Sequence, residues 1–509
     1  MLNPGAPGAL SLAEACCDRW ADGSGRLALI RPRPDAPDEA VSFDALPQVL
    51  QAHGIGRRDR VGILLPQGPE AVVALLAAWR LGAIAVPLAC MLDGPALAFR
   101  LGHAGVAALV TDDAGRAATD ALRPGLPALR LVLGTEGAGG GALSFWAEAG
   151  RAPGGAPVCA IAPRDPALIL FRAGTTGPAR GVLHAHRALA GHLPGVAAQH
   201  GGFPLPGDRV WTPLDWAWRS ALFDALLPAL CQGVPVLAAP MPRFDAARAI
   251  DLMARHGVRN VVLPTPALRA LRDASALRPT APRLRSVATS GAPPGAALAG
   301  WAADQLGATL RHGHGTAECN LVLLGGTDGT AAGQAVPGQE VAVVDADGTP
   351  LPDGQAGMLA VRRRHPAVFL GYWKDAAGAG QGPWLPTGDR ATRLAGGAIL
   401  LDAGAAAASG DGMGPDDVEH CLRRHPAVAL AAVVGPPDAL GGEDATAIIV
   451  PHGDATPGPA LAEELRDFMR LGMAGHRYPR RVAFAKALPR APEGRFALGS
   501  AVGLGGQRC

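Results

Sequence analysis

The stretch Phe171-Arg-Ala-Gly-Thr-Thr-Gly-Pro-Ala-Arg-Gly181 indicates more about fold and function than any other part of this chain. It begins at the end of a short apolar run, residues 167–171, which is typical of a buried strand. Glycines allow the tight turns that bring a backbone close to a polyphosphate, and hydroxyls and a cation add donors and charge. The residues that fit this function are Gly174, Thr175, Thr176, Gly177 and Arg180.

Other interpretations of this stretch remain open from its residues alone. It is not a Walker loop, because no Gly-Lys-Ser/Thr closes it. A bare Gly-Thr-Thr-Gly is more often an ordinary surface turn than a nucleotide site. Residues 182–189 follow the loop and are predicted to begin a helix. The functional interpretation therefore depends on what the rest of the chain contains.

Composition limits the class of protein. A chain of 509 residues is too long for one hydrophobic core, so two or more domains are expected. The 46 basic and 44 acidic side chains give a net charge of +2, which argues against nucleic acid or an anionic membrane as partner. The eight cysteines contain no Cys-x-x-Cys pair, which argues against zinc and favours a reduced, cytoplasmic protein.

Neither a leader nor a membrane span is expected. The first residues lack a basic flank followed by an apolar core, so we predict no signal peptide. The most apolar region, residues 71–91, is interrupted by Arg80, Gly82 and Pro87. It is predicted to be a helix followed by a strand, and not a membrane-spanning segment.

The order of predicted elements indicates an α/β fold. A strand at 60–66, a helix at 69–81 and strands at 82–87 and 106–111 alternate as in a doubly wound sheet. Such sheets bind ligands at the carboxyl ends of their strands. Residues 339–372 are predicted to be rich in strands, with a hairpin formed by 340–345 and 358–362.

The last part of the chain has its own pattern. Strands at 428–434 and 445–450 and a helix at 459–471 predict a small α+β cap. We therefore expect a large N-terminal domain, residues 1–392, built of doubly wound sheets plus a β-rich subdomain. Residues 393–509 are expected to form the smaller C-terminal cap domain.

The loop at 171–181 resembles the phosphate-binding loop of the adenylate-forming, AMP-binding superfamily of acyl-CoA synthetases, written Thr-Ser-Gly-Thr-Thr-Gly-x-Pro-Lys-Gly. Arg172 and Ala173 stand at its first two positions, and Arg180 stands at its lysine. The chain resembles the medium-chain and acetyl-CoA synthetases of this superfamily, and the similarity extends from about residue 20 to 496. The resemblance implies that this loop binds the phosphates of ATP.

Two further motifs resemble those that hold the rest of the nucleotide. The turn at Gly291 is similar to a Gly-Gly-Glu-Pro turn that borders adenine, with Ala292 at the place of the acid. The stretch Arg311-His-Gly-His-Gly-Thr-Ala-Glu-Cys-Asn320 is similar to Tyr-Gly-Gln-Thr-Glu followed by Cys-Asn. His314, Gly315 and Thr316 then stand at nucleotide-binding positions.

Two acids take specific roles from this resemblance. Glu318 falls on the glutamate that coordinates Mg²⁺, for which a hard carboxylate oxygen is a suitable ligand. Asp389, in Pro386-Thr-Gly-Asp389, falls on the carboxylate that binds both ribose hydroxyls. Ala317 replaces the threonine that holds the α-phosphate and cannot do the same. Without the resemblance, His312 and His314 could be half of a metal site, although such histidines are more often packing residues.

The acyl site is predicted from three tryptophans in the stretch 208–219. Trp211 is interpreted as a core residue, whereas Trp216 and Trp218 are predicted to line an apolar slot. Aromatic walls with few polar groups suit a hydrocarbon chain.

The resemblance weakens toward the C-terminus. The family's hinge contains an arginine that contacts the ribose, but no arginine occurs between Arg393 and Arg423. Ser409 and Gly410 are assigned to coenzyme A binding. Arg495 stands where the family has the lysine that binds the carboxylate substrate and the α-phosphate.

The implied activity is that of a carboxylate–CoA ligase using ATP, Mg²⁺ and coenzyme A, with Arg495, Glu318 and Arg180 as catalytic residues. Such chemistry needs charge neutralisation and alignment and no enzyme nucleophile. Each lost transition-state contact typically costs on the order of 10²–10³ in rate. Three interpretations therefore stay open: a ligase for a medium-sized apolar acid with attenuated activity, a pseudoenzyme that binds nucleotide or acyl-CoA, and a module that loads a carrier protein. A homodimer is also left open.

Overall fold

The computed structural model describes residues 11–46, 54–92, 94–137, 139, 141–150, 160–172, 179–241, 243–275, 282–290, 293–326, 332–375, 380–402, 415–434, 445–453, 455–472 and 479–486. Within these residues the strands form three sheets of thirteen, eight and three strands.

The described strands are numbered in chain order. They are β1 (Leu27–Arg31), β2 (Glu39–Ser42), β3 (Arg60–Leu64), β4 (Ile84–Pro87), β5 (Ala108–Thr111), β6 (Leu131–Gly134), β7 (Leu143–Ser144), β8 (Pro166–Arg172), β9 (Arg180–Ala185), β10 (Val210–Trp211), β11 (Val236–Leu237), β12 (Asn260–Val262), β13 (Ser286–Ser290), β14 (Thr309–Thr316), β15 (Asn320–Gly325), β16 (Ala332–Ala335), β17 (Val341–Val344), β18 (Ala356–Arg362), β19 (Gly371–Tyr372), β20 (Trp384–Arg393), β21 (Ile399–Leu401), β22 (Val428–Val434), β23 (Thr446–Pro451) and β24 (Arg481–Phe484).

The described α-helices are numbered in the same way. They are α1 (Leu12–Cys16), α2 (Pro69–Arg80), α3 (Gly94–Ala104), α4 (Asp113–Asp120), α5 (Phe145–Gly150), α6 (Ala188–Gln199), α7 (Leu227–Cys231), α8 (Ala246–Arg255), α9 (Thr265–Ser275), α10 (Ala296–Leu306), α11 (Pro415–Arg423) and α12 (Pro459–Gly472). A π-helix, Ser220–Leu226, leads directly into α7.

The eight-stranded sheet has a parallel centre. Its order is β19-β9-β8-β4-β3-β5-β6-β7, and β3 pairs in parallel with both β4 and β5. Helix α2 is buried along almost its whole length, and the indole N–H of Trp79 donates to the Ala167 carbonyl at 2.8 Å. The alternation of strand and helix at residues 60–87 thus forms the doubly wound arrangement that the sequence predicts.

The thirteen-stranded sheet changes character along its order, β17-β18-β20-β21-β16-β15-β14-β13-β12-β10-β11-β1-β2. From β11 to β14 its neighbours are parallel, and from β14 to β17 they are antiparallel. The predicted hairpin is present as β17 paired with β18. The β-rich part of the chain therefore continues this sheet, and β14 and β15 mark the change.

The third sheet, β22-β23-β24, packs with α11 and α12 around a small hydrophobic core. Its strands and helices lie where the sequence predicts a cap. Strand β21 lies after residue 392 and pairs with β20 and β16 of the largest sheet. The domain boundary at 392 remains a prediction.

One element differs from expectation beside the glycine–threonine loop. Residues 182–189 were predicted to begin a helix, but Arg180–Ala185 is a strand and α6 begins only at Ala188. The strand is antiparallel to β8 on one side and to β19 on the other. Hydrogen bonds to these two neighbours stabilise the extended backbone, and Val182 in its middle favours it too. In the described part of the chain no helix is long and apolar enough to cross a bilayer.

Candidate active site

The glycine–threonine loop connects two antiparallel strands. Arg172, the last residue of β8, pairs in register with Arg180, the first residue of β9. The predicted phosphate-binding residues Gly174, Thr175, Thr176 and Gly177 lie outside the described residues. The structure therefore shows only the two residues that flank them, Arg172 and Arg180, opposite each other in the hairpin.

Both arginines at the ends of the loop face the same tyrosine. The guanidinium of Arg180 lies 5.1 Å from the ring centroid of Tyr372, and that of Arg172 lies 6.0 Å from it. Tyr372 belongs to β19, which pairs with β9 through Val182. Cation–π contacts of this length are attractive. The predicted catalytic residue Arg180 thus lies at the base of the loop.

Glu318 lies in the turn between β14 and β15 and is fixed through both its side chain and its backbone. The hydroxyl of Tyr372 donates to Oε1 of Glu318 at 2.7 Å, and the Phe369 N–H donates to the Glu318 carbonyl at 2.8 Å. Nε of Arg172 lies 2.7 Å from the same Oε1, an ionic contact without the geometry of a directed hydrogen bond. The carboxylate is 7% exposed. Arg172, at the end of β8, and Glu318 are therefore in direct contact.

The neighbouring carboxylate changes the ionisation of Tyr372. Burial, followed by the charge of Glu318, raises the pKa of this phenol to about 12. Tyr372 therefore remains protonated at neutral pH. A protonated hydroxyl can donate to the carboxylate, as the geometry requires.

Asp389 and His314 form the second half of the site. Nε2 of His314, on β14, donates to Oδ2 of Asp389 at 3.0 Å, and the Thr387 hydroxyl donates to the same oxygen at 2.8 Å. Asp389 is buried, and Oδ1 has no hydrogen-bond partner among the described residues. One carboxylate oxygen is thus fixed by two donors and the other is available to a ligand.

The turn between His314 and Glu318 packs tightly. A Cβ on Gly315 would lie 2.1 Å from the Asn320 carbonyl oxygen, so the hairpin β14–β15 requires glycine there. The hydroxyl of Thr316 is buried and has no hydrogen-bond partner in the described part of the chain. The Ala317 carbonyl accepts from Nε2 of His184 at 2.8 Å. Burial lowers the pKa of His184 to about 4, so this imidazole is neutral.

The tryptophan region lies next to a buried polar cluster. Trp216 and Trp218 are both buried in the core that includes α2 and α7, whereas Trp211 is fully buried in a different core. The indole N–H of Trp216 has no hydrogen-bond partner among the described residues. The π-helix Ser220–Leu226 begins immediately after Arg219.

Charges in this cluster compensate each other. Oδ1 of Asp224 accepts from Nε2 of His192 at 2.8 Å and from Nη1 of Arg219 at 3.1 Å, and all three side chains are at most 5% exposed. Burial acts to raise the pKa of Asp224, but Arg219 and His192 outweigh it, so the pKa is lowered. Asp224 is therefore ionised.

The remaining predicted site residues cannot be compared with the structure. Gly291, Ser409, Gly410 and Arg495 lie outside the described residues. Residues that the sequence prediction missed are His184, Asp224 and, above all, Tyr372. The stretch Gly371-Tyr-Trp373, which precedes the Thr-Gly-Asp motif, is the signal that could have pointed to Tyr372. From the sequence, Arg172 is only a departure from the family's threonine.

The residues around Glu318 provide a test of the expected Mg²⁺. Mg²⁺ prefers six oxygen ligands and is often bound by one or two carboxylates together with substrate phosphates. Here the only acidic group at the loop's base within the described residues is Glu318, whose Oε1 already contacts Arg172 and Tyr372. No group of three or more metal-ligating side chains occurs in the described part of the chain. The charge at Oε1 of Glu318 is thus already compensated by a guanidinium, which argues against Mg²⁺ at this oxygen, and no step below is assigned to the metal.

Comparisons with known proteins agree with this arrangement of motifs. The family described as AMP-binding enzyme matches residues 42–373, and the family described as AMP-binding enzyme C-terminal domain matches residues 417–495. The chain therefore belongs to the AMP-binding, adenylate-forming enzymes. Membership implies the use of ATP and coenzyme A, and the chain is acyl-CoA synthetase-like.

Individual relatives extend over most of the chain. Mitochondrial acyl-coenzyme A synthetase ACSM5 of Homo sapiens is 28% identical over 463 residues, which cover 87% of this chain and 79% of the relative. Acetyl-coenzyme A synthetase of Bacillus subtilis is 27% identical over 521 residues, which cover 96% of this chain and 89% of the relative.

Solved structures show the same fold. An acyl-CoA synthetase of Brucella canis has a TM-score of 0.68 at 28% identity, covering 96% of this chain and 92% of that one. Amide bond synthetase McbA of Marinactinospora thermotolerans has a TM-score of 0.73 at 26% identity, and the match covers 97% of this chain and 99% of that one. The predicted fold class, a large α/β part with a smaller C-terminal domain, is confirmed.

Proposed function

We propose that this chain is an AMP-forming carboxylate–CoA ligase that activates a medium-sized apolar carboxylic acid. One set of contacts carries the proposal. Glu318 contacts both Arg172, at the base of the glycine–threonine loop, and Tyr372. His314, which lies four residues before Glu318 in the chain, is hydrogen-bonded to Asp389. Groups suited to phosphates and to a ribose therefore meet side chains of strand β14 and of the turn that follows it. A single nucleotide could contact all of them.

In the first half-reaction, a carboxylate oxygen of the acid attacks the α-phosphorus of ATP. The bond to the β-phosphate oxygen breaks, which yields acyl-AMP and pyrophosphate. We assign the loop at 173–178 and Arg180 to the phosphates, and the available Oδ1 of Asp389 to the ribose hydroxyls. Arg495 would neutralise charge at the carboxylate and the α-phosphate. Preorganised donors of this kind act by stabilising charge that develops in the transition state.

In the second half-reaction, the thiol sulfur of coenzyme A attacks the acyl carbon. The bond to the AMP phosphate oxygen breaks, so the acyl-CoA thioester forms and AMP leaves. Ser409 and Gly410 are proposed to contact coenzyme A. Trp216 and Trp218 would bound the acyl chain, and a polar atom of the acid could accept from the buried Trp216 N–H.

A second candidate is a protein that binds nucleotide or acyl-CoA without efficient adenylation. Two observations favour it. Ala317 has no side-chain hydroxyl to give to an α-phosphate, and Oε1 of Glu318 is in contact with a guanidinium. Four departures from the family's motifs, at Arg180, Ala317, the hinge and Arg495, could each slow the first step.

The exchange of labelled pyrophosphate into ATP separates the two candidates. The purified full chain would be given short-chain, medium-chain and aromatic acids one at a time, with a reaction lacking acid as background. Exchange above background, greatest with medium-chain apolar acids, supports the ligase. Acyl-CoA formed on addition of coenzyme A would identify the acceptor. No exchange with any acid, together with measurable ATP binding, would instead establish the second candidate.

A further inference from the structure

The positive charge next to Glu318 belongs to an arginine of strand β8. Arg172 is the last residue of β8, and its Nε lies 2.7 Å from Oε1 of Glu318. The related motif has threonine at this position, which carries no charge. We propose that the guanidinium of Arg172 occupies the place of a divalent cation at Glu318, so that this chain binds ATP almost independently of Mg²⁺. The proposal depends on the nucleotide site proposed above.

Burial makes a positive partner at Glu318 necessary. A carboxylate removed from water is stable only when it is paired and hydrogen-bonded. Arg172 supplies the charge and Tyr372 supplies the hydrogen bond, both to the same oxygen. A metal ion that used this oxygen would have to displace the guanidinium or tolerate a second positive charge beside it. The protein has therefore filled the cation's electrostatic role with its own side chain.

The same guanidinium is well placed to act on a nucleotide. The guanidinium of Arg172 contacts Glu318 through Nε and also lies beside the ring of Tyr372. A guanidinium is a planar fork that matches phosphate oxygens in pairs. Arg180 lies opposite Arg172 across the hairpin, and both flank the ring of Tyr372. Two fixed positive charges thus stand at the base of the loop that would hold the triphosphate.

Calorimetric binding of a non-hydrolysable ATP analogue tests the proposal. The full chain would be titrated once in EDTA and once in excess MgCl₂. The quantity compared between variants is the dissociation constant in EDTA divided by the dissociation constant in MgCl₂, called the ratio below. For the natural chain we expect a ratio below about threefold, because the guanidinium already neutralises Glu318. Arg172→Thr, which restores an uncharged side chain, should raise the ratio to about tenfold or more. Arg172→Lys keeps the charge and should stay near the natural ratio.

A matched control makes the same substitution at a distant arginine. Arg364 is 72% exposed and pairs with Glu340, so Arg364→Thr should leave the ratio unchanged. Thermal unfolding of each variant shows whether it is folded at the temperature of the titration. If Arg172→Thr does not fold, the natural chain and Arg172→Lys decide the question.

Three outcomes are decisive. A ratio below about threefold in the natural chain that rises in Arg172→Thr supports the proposal. A ratio of about tenfold or more in the natural chain overturns it, with the proposed ligase unaffected. No binding of the analogue in either buffer overturns the nucleotide site and the proposed function together.

Discussion

Replacing Asp389 by asparagine tests whether this carboxylate binds the ribose of the nucleotide. Asparagine has nearly the same shape, and its amide oxygen can still accept from His314 and Thr387 in place of Oδ2. The position that Oδ1 occupies would then hold an uncharged NH₂ group. We expect the fold to persist, with a loss of about 1 kcal/mol in the free energy of unfolding.

The expected loss of affinity follows from the hydrogen bonds that a ribose would make. A hydrogen bond to a charged group contributes about 1.5–3 kcal/mol, and the variant replaces the charged acceptor of two hydroxyls. A total near 3 kcal/mol corresponds to an AMP dissociation constant about 100-fold weaker. The structure supports this magnitude because Asp389 is only 2% exposed, so that little water competes for the carboxylate.

Calorimetry with paired ligands isolates the ribose contribution. AMP and 2′,3′-dideoxy-AMP would be titrated into the natural chain and into Asp389→Asn, with pyrophosphate as a ligand that has no ribose. The natural chain should prefer AMP about 100-fold, and the variant should bind the two nucleotides alike. Asp353→Asn, at an exposed acid paired with Arg393, is the matched control. An unchanged preference for AMP in Asp389→Asn would refute the assignment.

Three more predictions follow from buried charges and from the tail. Asp224→Ala should cost about 3–5 kcal/mol of unfolding free energy in denaturant titrations, because it leaves the buried charge of Arg219 uncompensated. A loss no larger than that measured for the exposed Glu340→Gln would contradict this. Burial lowers the pKa of His184 and of His200 from 6.5 to about 4, so the unfolded chain takes up these protons first. The contribution of these two histidines to the free energy of unfolding should therefore be fully present above pH 6.5 and decrease as the pH falls toward 4. Urea titrations across this pH range would measure the decrease. A free energy of unfolding that increases on acidification would disprove the prediction. Arg495→Lys should increase ATP–pyrophosphate exchange if the arginine merely attenuates adenylation, and an unchanged rate would count against that role.

Local pattern was sufficient to predict most elements of the fold. The strand at β8 and the helix α2 come from an apolar run and an apolar face that need no distant partner to be recognised. Strand β9 was missed because its sequence fits a strand or a helix equally. Pairing with β8 and β19, the second of which lies far along the chain, decides between them.

The site could be predicted only as separate motifs. Glu318 and Asp389 each stand in a recognisable sequence context, and in the fold Asp389 is bonded to His314, which precedes Glu318 by four residues. The contacts of Glu318 could not be predicted, because Tyr372 lies 54 residues away and neither residue's pattern specifies the other. Likewise, His184 and the Ala317 carbonyl meet across 133 residues. Such pairings depend on how sheets pack, which periodicity does not encode.

The segment 369–373 ties the two large sheets together. Phe369 belongs to the core beside β15 and β18, Tyr372 pairs with β9 of the other sheet, and the Trp373 indole donates to the His103 carbonyl at the end of α3. The two sheets therefore cannot slide apart without pulling the phenol away from Glu318. The hydrogen bond between Tyr372 and Glu318 therefore depends on how one sheet packs against the other.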